Sequence, residues 1–262
     1  MNNADQLPAT VIEARRPGPR AWLTMILCEG RMVARDTAGL VVPIGLPLLI
    51  LVMSASSAGE QAAVNGRTGL DVFVIPLVFT IVMALIGVVN MPSFLALYRR
   101  TGILRRLAVT PASPFMVLAA QAVVSVLQTA VGVAAALAVA VAAFGARLPA
   151  RPVAALGVVL LAMAAMYATG MVVAAVAPTP NSAVAIGLVA FFAFGALGGL
   201  FGGRDALPDA LATLGGLLPF GATVEALSAA WAGVAIDPAH PLSLAVAVAA
   251  GAAVSVAFFR WD

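Results

Sequence analysis

The sequence predicts an all-α membrane protein: six transmembrane helices, an N-terminal interfacial helix, a short cytoplasmic helix between spans 2 and 3, and short re-entrant helices before span 6. Three observations carry that expectation. Of 262 residues, 63% are hydrophobic and only 10% are charged, where a soluble domain carries about a quarter. The charges fall between apolar runs of about 20 residues, the length that crosses a bilayer. No run of about ten residues alternates polar with apolar, so helices, which satisfy their own backbone in lipid, are the spanning elements.

Residues 1–37 form the leader, polar and arginine-rich, without the short apolar core and small-residue cleavage site of a removable signal peptide. Targeting then falls to the first span. Within the leader, RAWLTMILCEGRMVARD has helical periodicity: Thr24, Cys28, Arg31 and Arg35 share one face, with Leu23, Ile26, Leu27 and Ala34 opposite. That pattern reads as a helix in the cytoplasmic interface anchored by Trp22, with a soluble cap helix as the alternative.

Residues 38–262 make one six-span domain, with spans at Ala38–Ser54, Val72–Met91, Val117–Phe144, Pro152–Ala177, Ser182–Phe201 and Leu242–Phe259. The third and fourth exceed the minimum and must tilt or project beyond the lipid. All fourteen basic residues are arginine. Ten of them lie before span 1, in the 98–115 loop or after span 6, and the positive-inside rule makes that side, with both termini, cytoplasmic. Ten arginines against five acids leave +5 inside, and four against six leave −2 outside. The basic balance therefore reports topology and attraction to anionic lipid rather than nucleic acid.

Chemistry is sparse. One histidine, His240, and one cysteine, Cys28, supply neither a metal site nor a disulfide. No G-x-S-x-G occurs, and without a lysine the chain lacks the residue a P-loop needs to reach phosphates. An enzyme is disfavoured. None of the six spans contains Asp, Glu, His, Lys or Arg, which argues against coupling to protons or sodium. Uphill transport by such a chain needs energy delivered by a cytoplasmic partner.

Polar residues in span 3 supply a candidate cargo path. Gln121, Ser125 and Gln128, with Thr129 beside it, recur at helical spacing and share a face; the alternative is hydrogen bonding that glues helices together. In span 5, GALGGLFGG places Gly195 with Gly199, Gly198 with Gly202 and Gly199 with Gly203 four residues apart, a spacing that permits close helix packing. The extracytoplasmic segment 204–241 is too broken for a plain span and too apolar for a free loop, so short helices dipping back from the outer face are expected. Pro219, Phe220 and Glu225 mark an exit region there, Glu225 being either a lid contact or a helix-start charge.

The loop YRRTGILRRLAVTPASPF holds four arginines. Gly102 ends the emerging second span, Ile103, Leu104 and Leu107 make a small apolar face opposite Arg105 and Arg106, and Pro111 and Pro114 close the segment. Physically this is a stub helix along the membrane or a plain topology-holding loop. It resembles the intracellular loop of ATP-binding-cassette exporter permeases of the type 2 class, which includes daunorubicin-type drug exporters and is related in fold to the ABCG transporters. Gly102, Leu104, Leu107, Thr110 and Pro111 stand at that loop's glycine, leucine and Thr-Pro places. Where the family often has a glutamate before the glycine, this chain has Tyr98, Arg99 and Arg100. ARDTAGLVVPIGLPLLIL resembles the family's entry into span 1, carried by Arg35, Asp36, Pro43 and Pro47. LPFGATVEALSAAW resembles its segment before the last span, carried by Leu218, Pro219, Phe220, Val224, Glu225, Ala226 and Leu227.

The resemblance implies a permease subunit in a bacterial inner membrane. It would pair with a second permease, identical or paralogous, above two cytoplasmic ABC ATPase subunits that bind ATP and Mg. The 98–115 loop would be the coupling helix, with Arg99, Arg100, Arg105 and Arg106 alongside the residues named above. Hydrophobic drug, antibiotic or lipid-like cargo is the expectation, with a polysaccharide or glycolipid exporter, or a membrane scaffold that recruits a cytoplasmic partner, as alternatives.

Overall fold

In this computed structural model the described residues are 17–57, 62–102, 114–203 and 207–258. They form α1 (Pro19–Arg35), α2 (Thr37–Ser57), a hairpin of β1 (Ala62–Val64) and β2 (Arg67–Thr68), then α3 (Leu70–Arg100), α4 (Pro114–Phe144), α5 (Pro152–Val176) and α6 (Pro180–Leu197). The short helices α7 (Asp209–Leu217) and α8 (Pro219–Ala232) precede α9 (Ala239–Phe258). Helices α2 to α6 are long and apolar enough to cross a membrane. α9, with 20 residues, occupies the expected sixth span. α7 and α8 are bent by 83° to one another, because Leu218 is held extended ahead of Pro219.

α3 is the central helix. Of its most apolar window 83% is buried, against 22% in α2 and in α6, whose exposed Leu49, Met53 and Val189 have the character of lipid-facing residues. The sequence pattern ends this span at Met91, yet the helix runs to Arg100. Pro92 should stop it, since an interior proline removes one backbone bond and crowds the preceding turn at about 3 kcal/mol. A π segment at Leu85–Asn90 absorbs that conflict, and another at Leu70–Val74 does the same for Pro76. Ahead of Pro92, the Met91 N–H reaches Ile86 rather than Gly87, so the Gly87 and Val88 carbonyls both lack their usual i+4 donor. Each faces a glycine of a neighbouring helix. A Cβ at Gly170 would sit 1.9 Å from the Gly87 oxygen, and one at Gly187 would sit 2.5 Å from that of Val88. Only glycine permits this approach, in which Cα–H groups replace the missing donors.

Within GALGGLFGG, Gly198 permits close packing against α8, since a Cβ there would lie 2.6 Å from Phe220 and 3.0 Å from the Gly221 nitrogen, while Gly199 serves to end the helix. α6 ends at Leu197, Gly199 turns left-handed at φ 93°, the Leu200 N–H bonds the Gly195 carbonyl at 2.8 Å and the Gly199 N–H bonds that of Ala196 at 3.4 Å. This is a Schellman cap, in which glycine's freedom at positive φ outweighs its small size. Phe220 and Trp231 of α8 anchor one end of the core, edge to face with Phe191 at 6.1 Å and Phe79 at 5.5 Å.

Candidate functional site

The Arg100 end of α3 is bound to two other helices by consecutive side chains. The Tyr98 hydroxyl donates to the Glu29 carboxylate of α1. Both groups are buried. Burial pushes the Glu29 carboxyl above its ordinary value of 4.5, and the Tyr98 hydrogen bond opposes that in part. Arg99 reaches the other way. Its guanidinium donates to the Ala174 carbonyl and, at 2.9 Å, to that of Ala177, closing the C-terminus of α5 where helix carbonyls have no backbone partner. Beside it, Arg99, Arg100, Pro178 and Thr179 line an open polar cleft of about 480 Å³.

α3 then stops, with Gly102 at φ 68°. Leu104, Arg105, Arg106, Leu107, Thr110 and Pro111, which carry the loop resemblance, lie outside the described residues. α1 packs on the bundle through a third face beside the two of the amphipathic reading. Leu23 and Leu27 are exposed, while Glu29 and Val33, on a face that reading left unassigned, are buried against α3. Glu29 is a buried acid that the sequence left unmarked, and its one signal is an acid on the α1 face opposite neither the arginines nor lipid.

A second polar seam joins α2, α3 and α4. Pro43 has no N–H for the Gly39 carbonyl four residues back, and two side chains supply the donor instead: Asn90 Nδ2 at 2.8 Å and Gln128 Nε2 at 2.7 Å. Gln128 therefore forms an interhelical hydrogen bond. Thr129 likewise pairs with the Tyr167 hydroxyl of α5 at 3.0 Å. Gln121 and Ser125 are buried, and Gln121 Oε1 has no hydrogen-bond partner among the described residues. The stripe is thus enclosed by the subunit's own helices.

At the opposite end of α3, Asn65 and Gly66 turn the hairpin with φ of 50° and 70°, as two-residue hairpins prefer. Asn65 Nδ2 bonds the Ala232 carbonyl at the end of α8 at 2.9 Å. Arg147 uses three groups at once: its N–H bonds buried Asp71 at 2.8 Å, its carbonyl accepts from Trp231 Nε1 at 3.2 Å, and its guanidinium donates to Gly66 at 3.3 Å. Pro219 and Phe220 are buried in the α8 packing rather than presented to solvent. Glu225 falls past the first turn of α8, which has no acidic residue, so a helix-start role is excluded. His240 Nδ1 lies 3.3 Å from the Gly216 carbonyl at the end of α7. Among the described residues no group of three or more His, Cys, Asp or Glu side chains is placed to hold a metal.

A bundle of lipid-length helices, with many of its polar groups turned to helix ends and proline-freed carbonyls, defines a multi-pass membrane protein. The family model described as ABC-2 type transporter matches residues 21–231. The chain belongs to that family and is an ABC permease subunit without ATPase motifs of its own. No curated protein matches it.

Proposed function

We propose that this permease is the membrane half of an ATP-driven exporter that moves hydrophobic drug, antibiotic or lipid-like molecules out of the cytoplasm. ATP and Mg would be bound by two separate ATPase subunits, and a second permease would complete the path. The observation that supports this best is the end of α3. Tyr98 and Arg99 tie its last turn to α1 and α5 immediately before the 103–113 segment. A force applied to that segment by an ATPase would reach three helices together rather than one.

Leu104→Asp with Leu107→Asp is the direct test. The double variant should insert normally, lose co-purification with its ATPase partner, and abolish export. Unchanged co-purification and export would remove the coupling role of the loop.

A further inference from the structure

A cleft of about 220 Å³ opens over α3 between α2 and α6. Its deeper walls are apolar, with Leu85 and Val89 from α3 and Leu188 from α6. The polar groups collect at its cytoplasmic end, where Asp36, Asn90 and Ser93 line it. Two of these are already committed. Asn90 donates to Gly39, and the Ser93 hydroxyl donates to the Asn90 carbonyl at 2.7 Å.

Asp36 is not. One of its oxygens, Oδ1, accepts the Gly39 N–H at 3.1 Å and so caps the start of α2. Among the described residues Oδ2 has no hydrogen bond and no arginine pairs with this carboxylate. Gly39 has no side chain to intrude, since a Cβ there would lie 2.5 Å from Oδ2. An acid beside a low-dielectric cleft attracts a positive charge more strongly than one in water, and an apolar pocket with few polar groups fixes the orientation of what enters.

We propose that this cleft binds amphipathic monocations, with the charged head at Asp36 and the apolar body against Leu85, Val89 and Leu188. The site deepens the exporter reading by naming a cargo class, and it rests on that reading for its place in transport. The binding itself requires neither ATP nor a partner.

The test uses two ions of matched shape and opposite charge, tetraphenylphosphonium and tetraphenylborate. Each is measured by equilibrium dialysis against the full chain in phosphatidylcholine nanodiscs, with empty nanodiscs as the blank. Asp36→Asn keeps the helix cap, because asparagine caps as well as aspartate, and removes only the charge. It should weaken tetraphenylphosphonium by about tenfold, a modest share of a close charge interaction, and leave tetraphenylborate as tight or tighter. Leu188→Trp, which fills the cleft, should weaken tetraphenylphosphonium. Unchanged tetraphenylphosphonium binding in Asp36→Asn, equal loss of both ions in that variant, or unchanged binding in Leu188→Trp overturns the proposal. A chain that binds the cation but co-purifies with no ATPase overturns the exporter reading and leaves the site standing; the reverse result removes the site alone.

Discussion

The Tyr98 hydroxyl donates a hydrogen bond to the Glu29 carboxylate, joining the leader helix to the last turn of the central helix in the absence of any arginine partner for that acid among the described residues. The carboxyl is held above 4.5 by burial, so the folded chain binds its proton more tightly than the unfolded chain does. Stability from this group is therefore greatest at low pH, and it falls as pH rises from about 4.5 through the higher folded value.

Glu29→Gln keeps an acceptor for Tyr98 and cannot titrate. Hydrogen exchange across α1 should quicken with rising pH in the wild type, beyond the intrinsic base catalysis of exchange, and should show no such excess in the variant. Parallel profiles would mean that Glu29 is not the titrating group.

The Gly39 carbonyl offers a double-mutant cycle. Asn90→Ala leaves the carbonyl one of its two donors and should lower stability by about 1–2 kcal/mol, the cost of a lost buried hydrogen bond. Pro43→Ala restores a backbone N–H to that carbonyl. In the Pro43→Ala background the same Asn90→Ala change should cost less than half as much, read by thermal unfolding in detergent. Additive costs would show that Asn90 serves some other group.

Gly170→Ala places a methyl 1.9 Å from the Gly87 oxygen, where neither backbone has room to yield. Folded yield should collapse, with a destabilisation above the 1–3 kcal/mol of ordinary overpacking. Gly157→Ala, on the same helix with nothing within 4 Å, should leave yield unchanged or slightly raised. Similar yields for the two variants would place α5 farther from α3 than described.

Hydropathy made most of the architecture legible, because a lipid-length apolar run has few alternatives to a helix. The departures share one cause: each turns on which backbone group a distant side chain meets. Pro92 reads locally as a stop, and only the π segment before it, supported by Gly170 and Gly187 on other helices, carries α3 to Arg100. Pro43 is plain in the sequence, but the donor that serves the Gly39 carbonyl it frees, Asn90, lies 51 residues from Gly39. The polar stripe of α4 was visible as a stripe. That Gln128 turns to a proline-freed carbonyl depended on the neighbour. Glu29 was hidden because a two-faced reading of α1 has no place for a third face, and Asp36 because a capping residue uses one oxygen and leaves the other unannounced.

Arg147 engages three separate elements through its N–H, its carbonyl and its guanidinium, and the Arg151 N–H adds a bond to the Ala230 carbonyl at 3.1 Å. The connection between α4 and α5 thus has no spare length, and its register is read by the hairpin, by Asp71 and by Trp231 together. A sidedness reporter inserted between Gly145 and Arg151 would shear that register and report on its own damage. Residue exchanges there that preserve length would leave the backbone bonds in place.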